Sequence, residues 1–139
     1  MIGKTNLISI QEEMDIVHSY LELEKIRFEE RLNYTINIDE NILHFKIPPF
    51  SIQLLIENAI KHGISKEIEG GNITIKGEEL DNKIKIEVMN PGEIGQDKDL
   101  GVGLTNLRRR LILQYANASF TIQNCEAKKC VISTITIQH

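Results

Sequence analysis

The sequence has little of what marks several specialised classes of protein. Its 139 residues include two cysteines and no tryptophan, and the formal net charge is −4. Two cysteines without matching histidines nearby do not make a zinc site. An acidic chain lacks the basic surface with which proteins bind nucleic-acid phosphates broadly. No apolar run approaches the roughly 20 residues of a membrane-spanning helix. What is left is an ordinary globular domain, long enough to bury a core.

The N-terminal stretch has little of the pattern of a leader sequence. The stretch MIGKTNLISIQEE has no long apolar core, so we predict no signal peptide and expect a cytoplasmic domain, which could still be the soluble part of a membrane-anchored parent. In that compartment the thiols of Cys125 and Cys130 are expected to be reduced. The EAKK segment between them suggests a hairpin that could place the thiols opposite each other. We predict two ordinary strand residues.

Hydrophobic periodicity predicts a mixture of helices and strands. SIQEEMDIVHSYLELEKIRFEERL has an apolar stripe at helical spacing, a solvated charged face and a capping box of Ser9 and Glu12. NYTINID alternates as a strand, and a helix follows from about Phe50 to His62, stopping at Gly63.

The second half of the chain is predicted to contain mostly strands. NITIKGEELDNKIKIEVMN is a hairpin with its turn at Asp81-Asn82. A glycine-containing loop, the helix LTNLRRRLILQY and two more alternating strands complete the chain. Strands that come in hairpins favour an α+β fold, with one mostly antiparallel sheet covered by helices on one face. A doubly wound parallel fold is disfavoured because it needs alternating strands and helices.

The helix containing IENAIKHG has a polar face. At about 100° per residue, Glu57 and Lys61 fall together opposite the apolar arc, with Asn58 about 60° from Lys61. An Asn oxygen is a hard, neutral ligand suited to Mg²⁺, and a Lys offers a point charge to phosphate. The trio fits a metal-nucleotide. The simpler alternative is a Glu57–Lys61 surface pair.

The glycine loop favours a metal-nucleotide site over a simple surface pair. Gly101 and Gly103 are predicted to lie just before a helix, where glycine allows a positive φ and a close approach to an anion. The free N–H groups of the new helix would then point at that anion. Arg108, Arg109 and Arg110 could assist in binding phosphates, or they could be ordinary helix-surface arginines.

These motifs together resemble a known family. IENAIKHG resembles the N box of sensor histidine kinases, NPG their first glycine box and GVGLTNLRRRL their second. YLELEKIRFEERL and IPPFSIQLLIENAIKHG resemble the LytS-type subfamily. The resemblance covers nearly the whole chain. It implies the Bergerat ATP-binding fold shared with gyrase and MutL, a two-layer α/β sandwich in which ATP lies between the N-box helix and a mobile lid.

The resemblance also implies a set of site residues. Asn58 would coordinate Mg²⁺, residue 90 would accept a hydrogen bond from the adenine amino group, and residues 93–100 would form the lid. The implied catalytic residues are Asn58, Lys61 and, less directly, Glu57. The implied ATP-binding residues are Asn58, Lys61, His62, Asn90, Gly92, Gly101, Val102, Gly103, Leu104 and Asn106. For His62, an exposed histidine at a helix C-terminus is the alternative.

The sequence departs from the family pattern at three places. Position 90 is Asn where the family has Asp, which keeps an acceptor but loses charge-assisted strength. The second glycine of NPGEIG comes one residue late. Lys129-Cys130 replaces the usual Gly-Thr, and Ser133 or Thr134 could substitute for the Thr.

The implied function is the ATP-binding catalytic domain of a two-component sensor histidine kinase. It would transfer the γ-phosphoryl of ATP to a histidine on an upstream helix absent from this chain, so we expect the fragment to be inactive alone. Residues 1–31 would be the connecting helix and 32–139 the catalytic domain. Implied partners are Mg-ATP, the dimerisation and phosphoacceptor helix and a response regulator, in a membrane-anchored homodimeric parent. The alternative is a degenerate domain that serves as a non-catalytic scaffold.

Overall fold

The computed structural model describes residues 6–93, 101–115, 117–125 and 129–138. The first half of the chain contains β1 (Ile8–Ser9), α1 (Ile10–Phe28), β2 (Leu32–Ile38), β3 (Lys46–Ile47) and α2 (Ser51–His62). The second half contains β4 (Gly71–Leu80), β5 (Lys83–Pro91), α3 (Gly101–Gln114), β6 (Ala118–Asn124) and β7 (Cys130–Gln138). The predicted α+β class is confirmed.

Five strands form the main sheet, in the order β2-β4-β5-β7-β6. The β2–β4 pair is parallel, and the pairs β4–β5, β5–β7 and β6–β7 are antiparallel. Alternate residues of the strands are buried, as in Ile73 and Ile75 of β4 and Ile84, Ile86 and Val88 of β5. The sheet is therefore mostly antiparallel with one covered face, as predicted.

The hairpin between β4 and β5 turns where the sequence predicts. Asp81 and Asn82 both have positive φ, 53° and 63°, between the paired residues Leu80 and Lys83. Positive φ at both central residues is the geometry of a type I′ turn, and Asp and Asn tolerate it better than most side chains.

A second, two-stranded sheet escaped prediction. β1 pairs with β3 through Ile8 opposite Ile47 and Ser9 opposite Lys46. Strands of two residues show no periodicity that a sequence pattern could reveal. The small sheet ties the start of α1 to the chain that leads into α2.

The apolar stripe of α1 packs into the same core as the main sheet. Its buried apolar residues are Ile10, Met14, Val17, Leu21 and Phe28. The predicted capping box is present, with the Glu12 N–H donating to Ser9 Oγ at 3.0 Å and the Ser9 N–H donating to Glu12 Oε1 at 3.1 Å. The core is thus continuous across residues 31 and 32. The division into a connecting helix, residues 1–31, and a catalytic domain, residues 32–139, stays a prediction.

One charged residue of α1 is buried and not solvated, contrary to expectation. α2 begins after Phe50, which has φ 68°, and no side chain of its own caps the helix. Instead the fully buried Glu13 carboxylate of α1 accepts hydrogen bonds from the N–H groups of Phe50 (2.9 Å), Ile52 (3.0 Å) and Gln53 (2.9 Å). A residue far along the chain therefore caps α2 through tertiary contact.

The expectation of two separate thiols was wrong. Cys125 and Cys130 are joined as a disulfide, with their Cα atoms 5.3 Å apart. The residues lie at facing ends of β6 and β7, immediately beyond the pair Asn124–Val131. The antiparallel register of the hairpin places the two side chains against each other.

Within the part of the chain that the structure describes, no helix is both long and apolar enough to cross a lipid bilayer.

Candidate nucleotide-binding site

The polar face of α2 divides into two lines of side chains. Leu54, Asn58 and His62 follow one another at i, i+4 and i+8, so they lie along one side of the helix. Leu54 and Asn58 are half-buried and His62 is exposed. Glu57 and Lys61 form the neighbouring line, and both are exposed.

Glu57 and Lys61 face α1. They line a groove of about 320 Å³ between the two helices, together with Tyr20, Arg27, Phe28, Ile60 and Ser65. The Glu57 carboxylate accepts a hydrogen bond from Gln53 Nε2 at 3.0 Å, one turn earlier on the same helix. The structure thus keeps Glu57 and Lys61 together, as the helical geometry predicts, on a different side of α2 from Leu54.

The C-terminal end of α2 lies directly against the end of β5. A Cβ atom on Gly63 would come 2.5 Å from Asn90 Nδ2 and 2.9 Å from the Pro91 carbonyl oxygen, so only glycine fits. Gly63 has φ −113°, outside the left-handed region that a glycine helix stop usually occupies. Its smallness, which lets helix and strand touch, is the reason for glycine here.

The 90–92 segment sits beside the last residues of α2. Asn90 is 4% exposed, and its Nδ2 donates to the Pro91 carbonyl oxygen at 2.8 Å. Gly92 has φ +118°, a conformation that favours glycine, and a Cβ there would be 3.6 Å from the His62 carbonyl oxygen. The structure therefore places the backbone at the C-terminal end of α2, at His62 and Gly63, against Asn90 and Gly92 of the predicted site.

The N-terminus of α3 lies at the other end of the same side of α2. Gly103 packs near Leu54, where a Cβ on the glycine would be 3.6 Å from Leu54 Cδ2. The helix begins at Gly101, so Gly101 and Gly103 belong to its first turn, not to a loop before it as predicted. Their N–H groups are among those that an α-helix leaves without an internal partner. The free N–H groups that an anion would need are therefore offered by the first turn of α3, and not by a glycine loop before it.

The remaining predicted residues of the second glycine box differ in how exposed their side chains are. The Leu104 side chain is buried in the core, which leaves only its backbone for a ligand, and Asn106 is exposed. The Val102 side chain and residues 94–100 of the predicted lid lie outside the described residues.

Two of the three arginines of α3 have structural partners. Arg108 Nη2 donates to the Phe120 carbonyl oxygen at 3.0 Å, and Arg110 Nη1 donates to the Pro49 carbonyl oxygen at 2.9 Å. These bonds fix α3 to β6 and to the chain before α2. Arg109 is exposed. A phosphate-binding role for Arg108 and Arg110 is not favoured by this arrangement.

The surroundings of His62 at the end of α2 disfavour its charged form. Partial burial lowers the pKa of His62 below its usual value of 6.5, and the nearby Lys66 and Lys61 lower it further. Because the field of these two lysines opposes a positive charge on the imidazole, it favours an anion at the same place.

One of the two residues considered as a substitute for the missing Thr shares the sheet face of Asn90. Ser133 of β7 is buried opposite Val88, two residues before Asn90 on β5. Thr134 is opposite Glu87 and points to the other face, since neighbouring residues of a strand alternate. Ser133 is the better placed of the two.

Glu13 is the important residue that the sequence interpretation missed. Burial raises the pKa of Glu13, and the backbone N–H groups of Gln53, Phe50 and Ile52 oppose that rise. Its position in the chain carries a signal, because Glu13 falls within the apolar stripe of α1 between Ile10 and Val17. A carboxylate on the buried side of a helix needs hydrogen-bond donors.

The donor set of the site suits a nucleotide held through Mg²⁺. Among the described residues no three His, Cys, Asp or Glu side chains gather in a way that could hold a metal ion by themselves. Asn58 supplies a hard oxygen, and Mg²⁺ in nucleotide sites takes most of its other ligands from phosphates and water. The residues present therefore fit a metal that arrives with a phosphate ligand.

No model of a protein family matches the chain. In sequence it is 33% identical to the sensor histidine kinase YesM of Bacillus subtilis over 141 residues, which is 96% of this chain and 24% of YesM. It is 34% identical to the sensor protein LytS of Staphylococcus saprophyticus over 123 residues, which is 78% of this chain and 21% of that protein. The chain spans about a quarter of the length of these relatives.

A solved structure shares the fold. The catalytic domain of histidine kinase ThkA, in a nucleotide-free form, superimposes with a TM-score of 0.71 at 18% identity, covering 95% of this chain and 94% of that domain. A structure of ThkA in complex with the response regulator protein TrrA is similar over 94% of this chain and 40% of that chain, with a TM-score of 0.68 and 18% identity.

Proposed function

We propose, on the premise that this chain belongs to the LytS-type sensor histidine kinase family, that it is the ATP-binding catalytic domain of a two-component kinase. In the parent protein it transfers the γ-phosphoryl of ATP to a histidine on a dimerisation helix. One observation carries the proposal. Asn58 lies midway along one side of α2, with Gly103 of the second glycine box packed at Leu54 and Gly92 of the first packed at His62.

The 90–92 segment forms the adenine end of the site. The buried amide of Asn90 offers an acceptor to the adenine amino group, and Gly92 leaves room for the base. Asn makes a neutral hydrogen bond where a carboxylate would make a charge-assisted one, so adenine binding is weaker than with Asp. Ser133 lies on the same sheet face and can supply a further hydroxyl.

The middle of α2 and the first turn of α3 form the phosphate end. Asn58 would hold Mg²⁺, which when bound bridges phosphate oxygens and offsets their charge. Lys61 faces the neighbouring groove and is exposed, so it contributes to the phosphate end through the field of its positive charge and does not line the site. The backbone N–H groups of the first turn of α3, from Gly101 to Leu104, would bind phosphate oxygens, since this turn begins beside Leu54. Glu57 positions its neighbours on α2.

The same geometry favours transfer to a protein side chain over hydrolysis. Leu54, half-buried against Gly103, occupies the helix position one turn before Asn58. An apolar side chain there cannot activate water as a general base, since it accepts no proton. Catalysis then rests on positioning and on stabilising the charge of the transferring group.

The proposed surroundings of the domain are those that the family resemblance implies. We infer a cytoplasmic domain of a membrane-anchored, homodimeric parent, with residues 1–31 leading in from the dimerisation region and residues 32–139 forming the catalytic part. ThkA, which shares the fold, has been captured with a response regulator. A response regulator is therefore the proposed acceptor after the histidine.

A calorimetric titration of the 139-residue chain with Mg-ATP tests the proposal. We expect a Kd in the micromolar to low-millimolar range. Asn58→Ala should weaken binding by at least about tenfold, equivalent to about 1.4 kcal/mol. Chelating Mg²⁺ should weaken wild-type binding and leave the residual binding of the variant unchanged, because the variant has already lost the metal-dependent part.

Asn37→Ala is the matched control, since Asn37 is an exposed Asn on β2. It should bind Mg-ATP like the wild type. No heat and no thermal shift with several millimolar Mg-ATP would contradict the kinase proposal and favour a non-catalytic scaffold.

A further inference from the structure

The cystine of Cys125 and Cys130 lies next to the proposed adenine segment. Cys130 of β7 is opposite Pro91 of β5, and the next pair along is Val131 with Asn90. The Gly92 N–H donates to the Lys129 carbonyl oxygen at 3.0 Å. The backbone that leads into Cys130 is therefore hydrogen-bonded to the glycine that lies beside His62.

We propose that Cys125 and Cys130 form a reversible dithiol–disulfide switch that sets the order of the 90–92 segment. Its effect on nucleotide affinity rests on the proposed function; its effect on the segment does not.

The fold brings the two sulfur atoms together through the strand register. The Cα–Cα separation of 5.3 Å falls within the range that disulfides require. The Cys125 N–H also donates to the Cys130 carbonyl oxygen at 2.9 Å, which extends the β6–β7 ladder by one step. Reduced thiols held in this register remain close enough to close again.

We expect the disulfide bond to be dispensable for folding, for two reasons. Neither cysteine belongs to the hydrophobic core cluster. A disulfide that closes a short loop restricts the unfolded chain less than one that closes a long loop. We therefore expect the reduced protein to stay folded and to differ from the oxidised protein only at this end of the sheet, as a switch requires.

The redox step needs only a small-molecule disulfide as oxidant. The thiolate of Cys125, half-buried and the more accessible of the two, attacks one sulfur of that disulfide and expels a small thiolate. The thiolate of Cys130 then attacks Cys125 Sγ, which forms the intramolecular bond and expels the second small thiolate. The two cysteine thiols are oxidised, the small disulfide is reduced to two thiols, and the two cysteine protons pass to them. In the reverse direction, a small thiolate attacks Cys125 Sγ and expels the Cys130 thiolate; a second small thiolate then attacks the small-molecule sulfur of the mixed disulfide and expels the Cys125 thiolate.

The oxidised and reduced forms differ in how firmly the backbone at Lys129 is held. With the disulfide closed, the end of the hairpin is covalently fixed and the Lys129 carbonyl is kept in place for Gly92. After reduction the cross-link is gone, and the Gly92–Lys129 hydrogen bond opens more often. The oxidised form should therefore hold the 90–92 segment in order and bind nucleotide more tightly.

Amide exchange by NMR, with the chain held in oxidised or in reduced dithiothreitol, tests the switch. Alkylation and mass measurement should find no free thiol in the first case and two in the second. Reduction should speed exchange of the Gly92 amide about threefold to tenfold, the scale of one backbone hydrogen bond. The Asp39 amide, which donates to the Gly77 carbonyl oxygen at 2.9 Å beside the β2–β4 pair, should exchange equally in both.

A variant with Cys125→Ser and Cys130→Ser should match the reduced protein under both conditions. The Mg-ATP Kd should be about threefold or more higher in the reduced protein and in this variant. Two alkylatable thiols after oxidation, or equal Gly92 exchange in both states, would overturn the switch. Equal nucleotide affinity in both states would overturn its effect on binding. If neither form binds nucleotide, the proposed function has failed, and the Gly92 exchange still decides the switch.

Discussion

Asn90 lies near the end of β5, and we assign two interactions to its side chain. Its Nδ2 donates to the Pro91 carbonyl oxygen at 2.8 Å, which fixes the backbone that follows. In the proposed site its oxygen also accepts from adenine. An Asp at this position would lose the first interaction and strengthen the second, so stability and affinity should separate.

We predict that Asn90→Asp lowers the free energy of unfolding of the nucleotide-free protein by about 1 kcal/mol, through the lost donor. Its affinity for Mg-ATP should be kept or should rise by up to about tenfold, through a charge-assisted hydrogen bond. Urea denaturation and calorimetry measure the two quantities. Asn90→Ala should lose both interactions. If all three proteins bound Mg-ATP equally, residue 90 would not face the base.

In the proposed site, His62 lies one helical turn beyond Asn58 on α2, so we expect its pKa to respond to the charge of bound phosphates. Because burial and the two lysines hold the pKa of His62 below 6.5, the unfolded chain takes up the proton first as the pH falls. Its contribution to stability is therefore present above pH 6.5 and is lost as the pH falls through the folded pKa.

We predict that Mg-ATP raises the pKa of His62, because phosphate charge stabilises the imidazolium form. An NMR titration of the imidazole signals with and without nucleotide measures this. Adenosine, which has no phosphate, should leave the pKa where it is. An unchanged pKa at saturating Mg-ATP would place the phosphates away from His62.

At the scale of elements, the strands and helices with several periods of apolar residues were predictable. The β4–β5 hairpin follows from alternation and from the turn residues Asp81 and Asn82. The two-residue strands β1 and β3 were not, since they are shorter than any period. The start of α3 at Gly101 was also missed, because glycine is a poor helix former and the first turn needs no internal N–H bonds.

Contacts between distant elements were not predictable from local pattern. The cap of α2 comes from Glu13, on a different helix, and the tight fit of Gly63 depends on Asn90 and Pro91. The sequence shows that Gly63 ends a helix, but only the fold shows what lies against it. The pairing of Cys125 with Cys130 differs, because the EAKK hairpin already suggested that the thiols could face each other, and only the bond between them was not predicted.

We predict that Glu13→Gln lowers the free energy of unfolding by about 1–3 kcal/mol, because one amide oxygen cannot replace two carboxylate oxygens toward three N–H donors. Chemical denaturation of the purified domain measures the change. Asp15→Asn, on the exposed side of the same helix, is the control and should stay within about 0.5 kcal/mol of the wild type. An equally small effect for Glu13→Gln would mean that the buried cap contributes nothing.

At the scale of the whole molecule, both glycine boxes lie against α2. Leu54, Asn58 and His62 lie in line along the helix; Gly103 packs near Leu54, and Gly92 lies beside the His62 carbonyl oxygen at the C-terminal end. IENAIKHG ends at Gly63 and the first glycine box begins at Asn90, with β4 and most of β5 between them, so the order of the motifs in the sequence indicated a site but not its shape. The α1-facing groove at Glu57 and Lys61 likewise became visible only with the fold.

The most direct test of the account is to map where nucleotide binds. An isotope-labelled sample is titrated with Mg²⁺ and a non-hydrolysable ATP analogue, and the backbone amide shifts are followed by NMR. The account predicts that the largest changes fall on Asn58, His62, Gly92 and Gly103, with little change along β2. Changes centred on the groove between α1 and α2, or no change at saturating analogue, would contradict it.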